Sequence, residues 1–357
     1  MSSGRFLTHH GTWYAVRAAL AVATRAPSIH NSQPWRLELG REGLHLYADP
    51  ARWLPRTDSD RRDLVVSCGA LLQHLEVALA GAGMASRVHR LPDRSRPDHL
   101  ALLELHAGDL DEDALRQLAV LVRRRSDRRP FRPARVPPAA ARLLAAVAAQ
   151  RGAQLRTLDQ PDDRAALQLL LQEAVADQEG DSAYQHELAL WAGSTASPDG
   201  IPTTNLTERT GPRWSHDRHL PAGDVQVPIG TAPDAATFVV LATSGDDRLS
   251  RLRAGEALGA VLVAATELGL SSCVLSQPLE VAATRVRVRD DLLGATACPQ
   301  LLVRLGRPRS SVPLPVTPRR DVDDVLTLPV LDGFDLAHTG SVPRTRGAQR
   351  QWTGDDR

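Results

Sequence analysis

The sequence predicts an α+β fold that is internally duplicated and carries a long lid-like loop in its second half. Three observations predict it. At a constant offset, Gly69, Leu72, Val77, Ala78, Gly83, Ser86 and Val88 match Gly255, Leu258, Val263, Ala264, Gly269, Ser272 and Val274. Both copies are a helix, a glycine stop and a strand, and an apolar strand follows each, LLELHAG and then LLVRLGR. Helical patterns and short strands of period two or of continuous apolar character alternate along most of the chain. Residues 193–233 break the pattern, being rich in Gly, Pro, Thr, Asn and Ser; a loop of ~40 residues is rare inside a compact domain and marks a lid or disorder.

The elements follow in order. Residues 13–25 read as a helix that PSIHNSQP ends in a loop. Trp35 to Leu39 and Leu44 to Tyr47 alternate as paired strands around the turn GREG. A helix runs from Leu64 to Ala80, closed by Gly81 and Gly83 as a C-terminal cap, and Leu100 to Leu105 is the next strand. Asp111-Glu-Asp opens a helix, where acidic residues favour the positive end of the dipole, and it leads into RRRSDRRPF at 123–131. Val136-Pro-Pro starts a helix to Gln150, Gln154 to Leu158 is a strand, and two helices fill 162–191. After the loop come a strand at Thr237 to Ala242, a helix at Arg253 to Leu268, and strands at Ser272 to Leu275 and Leu301 to Leu305. The expected organisation is a first half at 13–110, a second at 111–326 including the 193–233 insertion, and a disordered tail at 339–357.

Composition narrows the chemistry. All 43 basic residues are Arg, which removes Schiff-base lysines and Gly-Lys-Ser/Thr P-loops. The net charge of +1 gives no bulk reason to bind nucleic acid or membrane. Three Cys with neither paired spacing nor an even count argue against a disulfide framework or a Cys-based zinc site and suggest a reducing compartment. The most hydrophobic helical stretch, Leu258 to Leu270, is interrupted by Glu267 and too short to span a bilayer, so a soluble, cytoplasmic protein is expected. No metal site is expected. His-Glu-x-x-His, Gly-x-Ser-x-Gly and a Gly-x-Gly-x-x-Gly behind a strand are all missing.

Two segments carry candidate chemistry. PSIHNSQPW at 27–35 offers backbone donors and short polar side chains that suit the edge of a planar heterocycle; an ordinary Asn/Ser/Pro turn has the same composition. In RRRSDRR at 123–129, Arg124, Ser126 and Arg128 would point to one side of an extended chain and could clamp a dianionic phosphate; charge alone favours a solvated basic loop, and a nucleic-acid patch is a third reading. No aromatic platform interleaves with these Arg residues, which disfavours the patch.

These segments resemble the FMN-dependent nitroreductase family. PSIHNSQPW is similar to that family's PSxxNxQPW segment and RRRSDRRPF to its basic-Ser-basic segment, which grips the FMN phosphate. GLSSCVLSQP at 269–278 resembles the passage beside the flavin ring, and PRR at 318–320 the C-terminal basic pair. RRRSDRRPF, Trp191 with Asp199-Gly-Ile-Pro, and SQPLE at 276–280 resemble the Acg-like actinobacterial branch.

The resemblance implies a nitroreductase fold, with Arg124, Ser126, Arg128 and Arg319 or Arg320 on the phosphate. It places Pro27, Ser28, Ile29 and Asn31 along the isoalloxazine and ribityl region, and Ser276 and Gln277 near the reactive nitrogen. His30 falls at a variable position and reads as loop decoration. Family members place a PSxxN loop and a basic-Ser-basic strand from two subunits around each flavin. Here the first half has only the former and the second only the latter, so the chain is expected to be a fused pseudo-dimer with one intact FMN site and one degenerate one, a monomer or weak homodimer. No side-chain acid or base is assigned. The implied activity is NAD(P)H-dependent reduction of a small-molecule acceptor, such as a nitroaromatic or quinone, through FMN. The alternative is an FMN-sequestering or sensing protein whose 193–233 loop, anchored by Trp191 and Trp214, covers the flavin.

Overall fold

The computed structural model of the chain describes residues 10–110, 112–195, 197–208, 220–227 and 234–328. Trp214 and the tail expected at 339–357 lie outside the described residues. Helix α1 (His10–Ala23) precedes the loop at 27–34, which contains one 3-10 turn. Strands β1 (Trp35–Leu39) and β2 (Leu44–Ala48) follow, then the twenty-residue helix α2 (Arg62–Gly81) and strands β3 (Met84–Arg90) and β4 (His99–Ala107). The chain continues through α3 (Glu112–Arg123), α4 (Pro138–Gln150), β5 (Gln154–Leu158), α5 (Pro161–Gly180) and α6 (Ser182–Trp191). Within the aperiodic segment a short parallel pair forms between β6 (Ala192–Ser194) and β7 (Ile201–Pro202). Then come β8 (Thr237–Thr243), the twenty-residue helix α7 (Arg248–Glu267), β9 (Ser271–Leu275), the short helices α8 (Gln277–Glu280) and α9 (Ala282–Arg287), β10 (Cys298–Gly306), α10 (Val322–Val325) and β11 (Leu326–Thr327).

The strands form two main sheets, ordered β11-β1-β2-β4-β3 and β5-β8-β10-β9. Exchanging β5, β8, β10 and β9 for β1, β2, β4 and β3 converts one order into the other, and all of those neighbours are antiparallel. Helices α2 and α7 lie between the sheets and are the most extensively packed helix pair. Their first and last residues keep the offset that relates Gly69 to Gly255.

The two sheets differ in what covers them. β1 alternates buried and solvent-facing positions, with Leu37 buried and Arg36 exposed, so one face of its sheet is open. β8 is buried at every position, because α4 and α7 pack on one face of its sheet while α5 and the turn at 288–292 pack on the other. A strand covered on both faces reads as an unbroken apolar run, as TFVVLA does.

Several boundaries differ from the sequence reading for identifiable reasons. α7 begins at Arg248, not Arg253, because the Asp247 side chain caps it by accepting from the Ser250 N–H at 2.7 Å. By length and apolarity α2, and not Leu258–Leu270, would pass for a membrane-crossing helix, and nearly all of it is buried in the core. β11 was not expected: two residues are too few for periodicity. It pairs in parallel with Leu37 and Glu38 and carries the C-terminal arm from the second sheet across to the edge of the first.

Candidate functional site

A cavity of about 250 Å³ is lined by the loop at 25–31, the first turns of α2, residues 124–128, β9 with the residues after it, Arg319, and parts of 201–208 and 220–227. Chain direction fixes its long axis. At one end Ser126 bridges Ser272, and the Asp127 N–H donates to the Ser272 carbonyl at 2.8 Å. From Ser272 to Ser276, β9 advances roughly 13 Å. On α2, His74 lies near Arg124 and Arg319, and Asp63 is roughly 16 Å along the helix axis from it. The cavity therefore has a cationic end and, opposite, an end with Asp63, Ser276 and Gln277.

At the cationic end Arg124 is buried, and burial with the nearby Arg125 and Arg25 pushes its guanidinium down to about 10. Its Nη2 donates to the Arg25 carbonyl at 3.2 Å, while Nε and Nη1 have no partner and no carboxylate pairs with it among the described residues. A buried cation left this way is costly unless an anion arrives. Arg319 is also pushed down, to about 9, by burial and by Arg124, Arg25 and Arg125. Its donors, however, go to main chain: Nε to Thr24, Nη2 to Arg25 and Ala26, and Nη1 to Thr317 and Pro318. Those carbonyls include the end of α1, so Arg319 fastens the C-terminal arm to a helix C-terminus. Arg128 lines the cavity and donates to the Asn205 carbonyl at 3.2 Å; Ser126 lines it beside Ser272. Arg320 does not line it: its main-chain N–H donates to Gln33 Oε1 and its guanidinium to the Asp324 carbonyl. His74 is held down at about 3, by burial and then by Arg124 and Arg319, so it adds no further cation.

The 27–33 loop is strained. His30, Asn31 and Gln33 all have positive φ, at 45°, 56° and 49°, a conformation that costs non-glycine residues of order 1–3 kcal/mol each. Side chains hold it in place. Ser28 Oγ accepts from the Gln33 N–H at 3.0 Å, and Ser67 Oγ, on α2, accepts from the Ile29 N–H at 3.1 Å. The Asn31 amide donates to the carbonyls of Pro198, Gly200 and Pro318, joining three distant segments. Gln33 Nε2 also donates to Pro198, and Arg52 pairs with Asp199. Pro27, Ser28, Ile29 and Asn31 all line the cavity, but the Asn31 amide is committed to the 198–200 segment. His30 is not surface decoration: it is buried and lines the cavity.

At the far end Ser276 and Gln277 line the cavity and belong to a polar network. Gln277 Nε2 donates to Gln178 Oε1 at 2.8 Å, Gln178 Nε2 to Glu280 Oε2 at 2.7 Å, and Ser276 Oγ to Glu280 Oε1 at 2.6 Å. The sequence reading missed Gln178, on α5, together with Arg25, Arg125, Asp63 and Ser67. Arg25 and Arg125 stand next to or within the quoted motifs and were legible there. Asp63 lies just before the helix expected from Leu64, and Ser67 lies in a stretch of it that reads only as core.

No protein-family model matches the chain. A Mycobacterium tuberculosis H37Rv protein named as a candidate NAD(P)H nitroreductase is 38% identical over 325 residues, covering 90% of this chain and 94% of its own. A second from the same strain, the candidate NAD(P)H nitroreductase Acg, is 36% identical over 323 residues, covering 87% and 94%. The crystal structure of a nitroreductase candidate from Anabaena variabilis shares the fold with a TM-score of 0.50 and 12% identity, covering 87% of this chain and 92% of that one.

Proposed function

The chain belongs to the nitroreductase family, and we propose that it is an FMN-binding oxidoreductase with one flavin site per chain, reducing a nitroaromatic, quinone or similar small acceptor with NAD(P)H. One observation carries this reading: the buried guanidinium of Arg124, with two nitrogens lacking any partner among the described residues, at the end of an elongated cavity. A phosphate dianion supplies the missing acceptors and the countercharge. Arg124 and Ser126 would hold the phosphate, with Arg128 beside them. Pro27 to Ile29 with Ser67 would shape the wall along the rest of the molecule, and Ser276 and Gln277 would bound its far end. Bound there, FMN would supply hydride and electron-pair transfer between NAD(P)H and the acceptor. The protein orients the cofactor, neutralises its phosphate and limits water.

The single site follows from a fused pseudo-dimer, in which residues from both halves of one chain meet around one cavity. Two facts support the duplication: the shared strand order and the offset common to α2 and α7. At the positions that this offset relates to Ala70 and Ser276, Glu256 and Arg90 form an ion pair through two hydrogen bonds of 2.6 and 2.8 Å, with Glu256 buried. That pair supports a second pseudo-site given over to structure.

A second reading, a protein that retains FMN with little turnover, is favoured by the ties from Asn31, Gln33 and Arg52 to residues 198–200. The spectrum of the purified protein, with released flavin identified and counted, tests the first reading; one FMN per chain is expected. Replacing Arg124 and Arg128 together by Ala should abolish flavin retention, and Arg94 with Arg96 should not. Full occupancy in the first variant would sink the phosphate assignment. Anaerobic NAD(P)H then separates the two readings: bleaching marks a reductase, and a yellow flavin that ignores NAD(P)H marks retention.

A further inference from the structure

Asp63 belongs to no group that a bound phosphate would need. It lies in the first turn of α2, is 2% exposed, and lines the cavity at the end away from Arg124. Its Oδ2 accepts from Arg62 Nη2 at 2.9 Å, and its Oδ1 has no partner among the described residues. Arg62 is itself buried, with Nη1 spent on the Leu279 carbonyl at 3.1 Å. Asp58, 3% exposed, accepts from the N–H groups of Asp63 and Leu64 at 2.9 and 2.8 Å.

The other charges facing this corner are Asp60 and, from α8, Glu280, both acidic. Arg251 and Arg285 pair with Asp60 and Asp246, not with Asp63. Two buried carboxyls, Asp58 and Asp63, thus have one guanidinium between them. Burial raises both, Asp58 to about 7, with each one's acidic neighbours adding to the rise and Arg62 opposing it. A pair in this position retains a proton where isolated carboxyls release theirs.

We propose that Asp63 is the proton donor of this site, delivering the hydrogen on its otherwise unpartnered Oδ1 to an acceptor bound in the cavity. This rests on the flavin reading above. The balance is that of a two-electron reduction. A quinone takes a hydride from reduced flavin, which returns to oxidised flavin, and one proton from Asp63, giving the hydroquinone. The Asp63 carboxylate then regains its proton from solvent, with Asp58 as the adjoining carrier. Reduction of the flavin by NAD(P)H moves a hydride alone and needs nothing from Asp63.

The test uses full-length protein loaded with FMN, reduced with dithionite without air and mixed with p-benzoquinone, in wild type and Asp63→Asn. The expected result is an equal flavin count in both, reoxidation roughly 100-fold slower in D63N, and a solvent deuterium effect on the wild-type rate that the variant lacks. The infrared spectrum of the flavin-free protein gives an independent readout. It should show a carboxylic-acid carbonyl band that shifts in D2O and is missing from D63N. Reoxidation of D63N at the wild-type rate, or absence of that band from wild type, overturns the proposal. A wild type that holds no flavin, or whose reduced flavin ignores the quinone, fails at the cofactor reading instead.

Discussion

Gly69 of α2 and Gly255 of α7 lie back to back, and each occupies the space that a Cβ on the other would need. A Cβ on Gly69 would meet the Leu252 carbonyl oxygen at 2.1 Å and Gly255 Cα at 2.9 Å; one on Gly255 would meet the Val66 carbonyl oxygen at 2.0 Å and Gly69 Cα at 2.7 Å. The contacts are reciprocal, since Val66 and Leu252 are related by the same offset as the two glycines. An isologous dimer interface has this form, in which residue i touches j and j touches i. The crossing also sets the cavity, because Val66 on α2 and Leu258 on α7 both line it.

Gly69→Ala and Gly255→Ala should therefore each destabilise the chain by about 3 kcal/mol or more, although alanine favours an isolated helix by about 1 kcal/mol. Gly83→Ala is the comparison: its φ is +74° but its nearest neighbour would be 3.6 Å away, so only backbone strain of roughly 1 kcal/mol is lost. Urea denaturation of the three variants checks the order. A Gly69→Ala variant as stable as Gly83→Ala would mean that the helices do not cross there.

Truncation should cost stability at Arg319 but not at Arg124. Arg319→Ala removes donors from the Thr24, Ala26 and Pro318 carbonyls, at a cost of about 2–3 kcal/mol. Arg124→Ala removes a buried cation that has no counter-ion among the described residues, so the ligand-free protein should be unchanged or more stable. Inorganic phosphate or FMN should raise Tm in wild type and leave Arg124→Ala unmoved. Thermal unfolding with and without each ligand reads both effects.

Asn31→Asp should loosen the 198–208 segment. The amide donates to three carbonyls, and a carboxylate in its place would face all three with an acceptor. Faster proteolytic cleavage within 198–208 and FMN release at least about tenfold faster are expected, the latter corresponding to loss of about 1.4 kcal/mol. Release at the wild-type rate would show that the segment does not hold the ligand.

The acidic corner should make stability pH-dependent with an unusual sign. Asp58 is raised to about 7 by burial and by Asp63, above its ordinary value of 3.8. Between those values the Asp58–Asp63 pair of the folded chain keeps a proton that the unfolded chain has released, so stability falls as pH rises through the window, by at most about 1.4 kcal/mol per pH unit. Asp58→Asn should flatten that slope. Urea midpoints from pH 4 to 7.5 measure it, and a slope unchanged in the variant would place the proton elsewhere.

Much of this molecule was legible along the chain, and the reason is local. β1, β5 and α4 carry their own periodicity and stop signals, and PSIHNSQPW and RRRSDRRPF are contiguous runs whose chemistry is readable residue by residue. Arg124, Ser126 and Arg128, which the period of an extended chain would put on one side, all line the cavity, and so does Arg125, which that period would turn away. What tertiary structure alone decided is which polar groups are satisfied by the protein itself. Arg124 and Arg319 are the same residue type in matching basic motifs, yet one has open donors and the other spends its donors on carbonyls from both ends of the chain. Asn31 looks like a ligand-binding amide in sequence; in the fold it lines the cavity, but its Nδ2 is tied to Pro198, Gly200 and Pro318, which no local pattern announces. Asp63 carries no sequence signal, because its carboxyl acquires its character from burial, which the fold imposes, and from groups that the fold gathers around it, Glu280 as well as the nearby Arg62 and Asp60. Periodicity and motif are properties of neighbours in sequence; hydrogen-bond satisfaction and electrostatic environment are properties of neighbours in space.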